Sequence, residues 1–140
     1  VEAIAGGNIQ AVSQSELIGN LEIKHAPKIF KDDCKINWTE ESESIRNQIR
    51  GLSPYPAAWT NLTTNESGQK IQTKIFFATK IELSTSAEPG TIKTDGKTFV
   101  NVACGNGWLQ ITDLQIAGKK RMKTEDFLRG FKNIEGHRFE

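Results

Sequence analysis

Apolar residues recur with a helical spacing near residue 45. Ile45, Ile49 and Leu52 lie three or four positions apart and form one stripe. Thr39 precedes the stripe and is predicted to cap a helix there. Gly51 and the Ser53-Pro54-Tyr55-Pro56 corner are predicted to end the helix, and Tyr55 in this corner is expected to pack and not to contact a ligand. We therefore expect one amphipathic helix in this part of the chain.

After residue 57 the pattern changes to a period of two, which is typical of half-buried strands. Five strands are predicted, at 57–62, 70–83, 91–94, 97–104 and 108–116. On the long second strand, Ile75 and Phe77 are expected to share one face and Lys74 to lie on the other. Asp95-Gly96 and Asn106-Gly107 are typical of tight hairpin turns with positive backbone angles. Consecutive hairpins predict a meander that closes into a small barrel.

A short helix is predicted to follow the strands. Thr124 is expected to cap it, and Phe127, Leu128 and Phe131 supply its apolar stripe. The predicted fold is therefore mainly β, an OB-like five-stranded antiparallel barrel flanked by an N-terminal helix and a short C-terminal helix.

The first 35 residues do not follow either period. Residues 8–35 are polar and include Ala26-Pro27, so they are interpreted as an interdomain linker. Residues 1–7 are interpreted as the end of a helix closed by Gly6-Gly7, and residues 36–140 as the barrel domain.

Composition limits the classes of protein that fit. The chain has 140 residues, 36% of them hydrophobic, and a net charge of +1, which excludes a strongly basic or acidic chain. Its apolar runs are shorter than the roughly 20 residues of a membrane span. Cys34 and Cys104 are too few and too far apart for a disulfide framework or a zinc site. We expect a cytoplasmic protein without a bound metal.

Positive charge is unevenly distributed along the sequence. Residues 68–124 carry nine Lys and Arg against four Asp and Glu, and the densest point is Lys119-Lys120-Arg121-Met122-Lys123. Lys28, Lys31 and Lys35 recur at short intervals in the linker. A basic zone on a nearly neutral domain is suited to a polyanion, although a solvated face of ordinary lysines gives the same pattern.

The residues do not favour catalysis by this chain alone. His25 and His137 are its histidines, and both fall in the predicted linker or tail. No phosphate-binding glycine loop, nucleophile elbow or zinc-binding helix motif is present, so no catalytic residue is assigned. Phe76, Phe99 and Trp108 are expected in the core, which favours contact with phosphates over base stacking.

Several spaced motifs resemble one known family. Residues 36–39 read INWT, residues 49–60 read IRGLSPYPAAWT, and residues 114–130 read LQIAGKKRMKTEDFLRG. In this order they are similar to the C-terminal domain of methionyl-tRNA formyltransferase, and Ala26-Pro27-Lys28-Ile29 is similar to its interdomain linker.

The resemblance implies a role in formyl transfer. The family transfers a formyl group from 10-formyltetrahydrofolate to the methionyl amine of initiator Met-tRNA. Its catalytic residues and folate site belong to an N-terminal Rossmann-like domain, so the resemblance implies that residues 1–7 are the end of the last helix of that domain. The C-terminal domain and linker offer a basic channel to the acceptor arm. The implied tRNA-binding residues here are Lys28, Lys31, Lys35, Lys119, Lys120 and Arg121. The resemblance thus implies a monomeric fragment that binds no cofactor and is inactive without the catalytic domain.

Two alternatives remain open at this point. The chain could be the C-terminal domain of a related folate-dependent or nucleotide-sugar formyltransferase. It could also be a free-standing OB-like module that binds nucleic acid or protein.

Overall fold

The computed structural model describes residues 28–140. The predicted helix end at 1–7, the linker residues up to 27 and His25 lie outside the described residues. Between residues 28 and 140 the chain forms two α-helices and seven strands. In chain order they are α1 (Ser42–Leu52), β1 (Ala58–Thr64), β2 (Lys70–Ile81), β3 (Ile92–Thr94), β4 (Val100–Cys104), β5 (Gly107–Ile116), β6 (Met122–Lys123), α2 (Thr124–Gly130) and β7 (His137–Phe139).

The strands form one antiparallel sheet in the order β3-β4-β5-β2-β1-β7, with β6 paired to β5. The sheet curls into a nearly closed barrel, which confirms the prediction of a mainly β, barrel-like fold. The prediction of a meander is wrong. Strand β2 pairs with β5, and the β3–β4 hairpin lies on the side of β5 away from β2. The long β2 and β5 therefore form the centre of the sheet.

Helix α1 packs against the barrel through the predicted stripe, since Ile45 and Ile49 are fully buried. The helix begins at Ser42 and not after Thr39, whose hydroxyl instead donates to Asn37 Oδ1. Asn106 Oδ1 accepts a hydrogen bond from the Ser42 N–H at 2.8 Å. A side chain from the β4–β5 turn thus satisfies the helix start in place of a local cap.

Helix α1 ends at the predicted Ser53–Pro56 corner and not at Gly51. Gly51 lies within the helix, and the last helical residue is Leu52. The chain turns only at the following Ser53–Pro56 corner.

A bulge in β2 changes the predicted alternation. The pairing with β5 shifts register between Ile75 and Phe77 and again before Ala78. Ile75 and Phe76 are therefore both buried, while Phe77 is 49% exposed, contrary to its predicted inward position.

Neither predicted two-residue turn forms as expected. Thr94 pairs with Val100, so the β3–β4 turn spans residues 95–99. Gly96 has φ of 72° in the β3–β4 turn. In the second hairpin Cys104 pairs with Gly107, so the turn is Gly105-Asn106, one residue earlier than predicted. A Cβ at Gly105 would collide with the carbonyl oxygen of Thr39, so close packing and not a positive φ requires glycine there.

The end of the chain belongs to the barrel. His137–Phe139 forms β7 beside β1, where no strand was predicted. Phe139 is buried, and its ring lies 5.6 Å from that of Trp38. Helix α2 buries Phe127 and Leu128 as predicted, but the Thr124 hydroxyl donates to the Ile111 carbonyl and does not cap the helix.

Candidate nucleic-acid interface

The end of the predicted linker is attached to β1 through Trp59. The indole N–H of Trp59 donates to the Lys31 carbonyl at 2.7 Å. The ammonium groups of Lys31 and Lys35 lie 5.6 and 5.7 Å from the centre of the ring. These are cation–π distances, so the ring holds two lysines side by side.

The backbone strengthens this attachment. Lys35 forms a parallel bridge with Trp59, and the Ile36 N–H donates to the Trp59 carbonyl at 2.8 Å. Lys31–Cys34 forms a single 3-10 turn, in which the Cys34 side chain is buried. The last residues of the predicted linker therefore have a defined position on the barrel.

Lys28 lies at the outer end of this segment. Its ammonium is 5.8 Å from the centre of the Phe30 ring, and both side chains are exposed. Two acids lie nearby, Asp32 and Asp33, and the Asp33 carboxylate accepts a hydrogen bond from the Phe30 N–H at 2.9 Å. We call Lys28, Lys31 and Lys35, together with Trp59, the linker half.

Strand pairing connects this half to the opposite side of the sheet. Trp59 pairs with Lys74 on β2, and Lys74 pairs with Gln115 on β5. Directly paired residues point to the same face of a sheet. Lys35 and Gln115 are thus separated by three strand spacings, about 14 Å, on the outer face of the barrel.

Gln115 in turn positions the basic loop after β5. Its side-chain amide donates to the Lys119 carbonyl at 2.7 Å, and the Lys119 N–H donates to the Ile116 carbonyl at 3.0 Å. Gly118 supplies the positive φ of 79° that this turn requires. We call the exposed residues Lys119, Lys120 and Arg121 the loop half.

Arg121 is held more firmly than its exposure suggests. Its guanidinium lies 3.6 Å from Asp113 Oδ1 and stacks 4.5 Å from the centre of the Phe76 ring. Lys123 binds the other carboxylate oxygen of Asp113 at 2.8 Å. Asp113 is largely buried beneath these two cations, so it orients them at the expense of one positive charge.

The structure therefore places the linker and loop halves on one continuous face. The predicted binding residues omit Lys74, which lies between the halves, and Lys123, which belongs to the densest basic stretch and shares Asp113 with Arg121. The period-two pattern already assigned Lys74 to the outer face of its strand, and that signal could have identified it.

Only one of the three aromatic side chains that were expected in the core, Phe76, is buried. Phe76 is buried as expected, whereas Phe99 and Trp108 are half-buried. Tyr55 is exposed beside the linker half, so the expectation that it packs is wrong, and Phe30 is exposed there too.

Groups that could support catalysis are held in structural roles. The His137 ring packs edge-on against Phe131 at 5.1 Å, and its Nδ1 lies 3.1 Å from the Asn133 carbonyl. Both cysteines are buried and unpaired with each other, and burial raises the pKa of the Cys104 thiol to about 12. Among residues 28–140 no cluster of metal-binding side chains occurs, and no helix there is long and apolar enough to cross a membrane.

Comparison with known proteins agrees with the resemblance of the motifs. The family described as "Formyl transferase, C-terminal domain" matches residues 28–132. Methionyl-tRNA formyltransferase of Bacteroides fragilis is 41% identical over 140 residues, which are 100% of this chain and 43% of that protein. The enzyme of the same name from Bacillus velezensis is 41% identical over 136 residues, which cover 96% of this chain and 39% of that protein.

A solved structure shares the fold. A crystal structure of a HypX variant from Aquifex aeolicus matches with a TM-score of 0.65 at 16% identity, over 95% of this chain and 22% of that one. The present chain spans less than half the length of the curated relatives and corresponds to their C-terminal part. Since the family match covers most of its residues, this chain belongs to the formyl transferase C-terminal domain family.

Proposed function

We propose that this chain binds the acceptor arm of initiator Met-tRNA, so that an N-terminal domain outside it can transfer formyl from 10-formyltetrahydrofolate to the methionyl amine. The names of its relatives support the reaction and the tRNA. The basic surface proposed for this role comprises Lys28, Lys31, Lys35, Lys119, Lys120 and Arg121, with Lys74 between the two halves.

One observation carries this proposal. The pairing of Lys35, Trp59, Lys74 and Gln115 brings the linker half and the loop half onto the same face of the barrel. The separation of about 14 Å is spanned by a few nucleotides at about 3.4 Å of axis per nucleotide. A single stretch of sugar-phosphate backbone can therefore contact both halves.

The chemistry of the side chains suits phosphate. Lysine ammonium and arginine guanidinium groups form charge-assisted hydrogen bonds with phosphate oxygens. Asp113 lies among them, but Arg121 and Lys123 together outnumber its charge. Phosphate contacts carry little sequence information, so this surface would supply affinity and orientation and leave identification of the tRNA to other contacts.

We place the chemical step outside this chain. The His137 imidazole is packed against Phe131, and the Cys104 thiol is protonated at neutral pH because burial raises its pKa to about 12. The relatives' names support formyl transfer by the whole enzyme. The buried cysteines and the packed His137 ring are poorly placed to act as nucleophile or base, which supports a binding role for this domain.

Salt dependence tests the phosphate contacts. The dissociation constant of this chain for initiator tRNA should rise steeply with salt, because binding releases counterions from the RNA. Replacing Lys119, Lys120 and Arg121 with alanine should lower the slope of the logarithmic plot by about 3. A matched control replaces Lys93, Lys97 and Lys132, exposed cations outside the basic surface, and should leave that slope nearly unchanged.

Kinetics of the full-length enzyme tests the functional role. The Lys119, Lys120 and Arg121 alanine variant should raise KM for tRNA and leave KM for the formyl donor unchanged. The control variant of Lys93, Lys97 and Lys132 should resemble the parent enzyme. Equal damage to the use of both substrates would contradict a pure binding role.

A further inference from the structure

A groove of about 410 Å³ lies beside Trp59, where the chain joins the barrel. Its aromatic walls are formed by Phe30, Tyr55 and Trp59. Phe30 is 61% exposed and Tyr55 is 86% exposed. Two large exposed rings beside one groove form an apolar patch of the kind that marks binding sites. Ile29 and Pro56 add further apolar surface.

The polar residues of the groove have a consistent character. Lys31 and Lys74 line it, no carboxylate is among the lining residues of the described part of the chain, and Gln72 contributes an amide that can both donate and accept hydrogen bonds. Lys28 and Lys35 lie directly outside, over the rings of Phe30 and Trp59. Among the described residues, the groove therefore combines open aromatic rings with two lining lysines, while the Asp33 carboxylate lies close by at the Phe30 N–H.

The groove also lies on the path between the two halves of the basic surface. Gln72 and Lys74 line it on one side and, on the other, border the depression formed by Gln115, Ile116 and Ala117. An RNA strand that contacts both halves would consequently pass over the mouth of the groove.

We infer that this groove binds one unpaired nucleotide of the RNA, with its base stacked on Phe30 or Tyr55 and its phosphate contacting Lys31 or Lys74. This inference rests on the proposed function and adds a base contact to a surface otherwise suited only to phosphates. A paired base is already stacked on its neighbours and does not enter such a groove, so the site selects single-stranded RNA. Because every base has a π-face, the groove would accept an unpaired nucleotide with any base and would not select a particular sequence.

The test compares two RNA hairpins of equal phosphate number, one fully paired and one with a short unpaired 3′ extension. Binding of the 140-residue chain to each is measured by fluorescence anisotropy at one ionic strength. The variant carries Phe30→Leu and Tyr55→Leu, which keep apolar bulk at exposed positions but remove the rings. Leu83→Ala is the control, since Leu83 is 53% exposed beyond the end of β2 and lines neither groove.

The native chain should prefer the RNA with the extension by roughly tenfold, the magnitude expected of one stacked base. The double leucine variant should lose that preference and bind the paired hairpin as before, and Leu83→Ala should retain the preference. Tryptophan fluorescence should fall when the extended RNA binds, because Trp59 borders the groove.

The outcomes separate this inference from the proposed function. Equal, salt-sensitive affinity of the native chain for both RNAs would overturn the stacking site and leave the phosphate surface intact. A preference that survives in the double leucine variant, or that Leu83→Ala also removes, would overturn it as well. If neither RNA bound in a salt-sensitive way, that result would contradict both the proposed function and the stacking site.

Discussion

The two halves of the basic surface hold their cations by different means. In the linker half, Lys31 and Lys35 lie over the ring of Trp59, which carries no net charge. In the loop half, Arg121 binds the carboxylate of Asp113, which also binds Lys123 just beyond this half. The ring positions two cations without cancelling either, whereas the carboxylate positions two and cancels one.

This difference has consequences for stability and for binding. A cation–π contact depends on the quadrupole of the ring and is insensitive to pH across the range in which lysine stays charged. An exposed ion pair weakens as salt screens it. The linker half should therefore keep its geometry at high salt, while the loop half should loosen.

Trp59→Ala should have the largest effect on stability. It removes a large ring together with the hydrogen bond to the Lys31 carbonyl, and we expect a loss of about 2–3 kcal/mol of unfolding free energy. Trp59→Phe keeps a ring beneath the lysines and should cost about 1 kcal/mol. Urea unfolding followed by circular dichroism measures both. Equal losses would mean that the indole N–H, and not the ring, holds the linker half.

Thiol labelling should detect local opening of the same region. The Cys34 side chain is buried in the 3-10 turn Lys31–Cys34 at the end of the predicted linker, and its S–H donates to the Phe30 carbonyl at 3.4 Å. Trp59→Ala should raise the labelling rate of Cys34 roughly tenfold, as expected if the local opening becomes about 1.4 kcal/mol easier.

Cys104 is the internal control for this experiment. Burial raises the pKa of its thiol to about 12, so only a small fraction is the reactive thiolate. Its labelling should stay slow in both proteins. Equal acceleration at both cysteines would show global unfolding and contradict a separately held linker segment.

Asp113→Asn should break the loop half at a smaller cost. Its two cations are exposed and become solvated when the carboxylate is removed, so we expect a loss of about 1 kcal/mol. Asp126→Asn, which affects an exposed pair with Arg129 on α2, should cost at most about 0.5 kcal/mol.

Salt dependence distinguishes the ion pairs of Asp113 from the cation–π contacts of Trp59. The cost of Asp113→Asn should shrink as salt is raised, because the ion pairs of the native protein are screened. The cost of Trp59→Ala should change little under the same conditions. A salt-independent cost for Asp113→Asn would show that packing beneath Arg121, and not charge, is what the carboxylate provides.

The smallest expected effect lies in the β3–β4 turn, which shares no residue with either half. The Asp95 carboxylate accepts hydrogen bonds from the Thr98 hydroxyl and from the N–H groups of Thr98 and Lys97, in that order of importance, and these lower its pKa well below the usual range. A lowered folded-state pKa contributes stability above the unfolded value of about 3.9, and this stability is lost as pH falls towards the folded value.

Acid should therefore loosen this turn slightly. An NMR titration of the Asp95 carboxylate checks the direction of the pKa shift, and urea unfolding near neutral pH and in acid checks its effect. Asp95→Asn should reduce the loss of stability in acid. An unshifted Asp95 pKa would contradict the hydrogen bonds assigned to it.

Local patterns predicted several elements correctly. The spacing of Ile45 and Ile49 identified the buried face of α1, and that of Phe127 and Leu128 identified α2. The same reasoning failed where a distant residue decides the outcome. Asn106 determines where α1 begins, and the bulge against β5 decides that Phe77 faces outward.

The candidate site likewise has parts that the sequence predicts and parts that only contacts between distant residues decide. Clusters of lysine and arginine are visible in the sequence, and so is their resemblance to a family. Their relative placement is not visible, since Lys35 and Gln115 are eighty positions apart and meet on one face only through β1 and β2. Trp59 could be recognised as a bulky anchor, but its contact with two lysines depends on the parallel bridge to Lys35.

The sequence by itself determined the class of fold, the buried faces of its helices and the presence of two groups of cations, because each depends on residues close together in the chain. The tertiary structure alone decided the strand order, the addition of β7 and the union of the two cationic groups on one face. These depend on pairing between distant segments, and the free energy of such pairing is not contained in any local pattern.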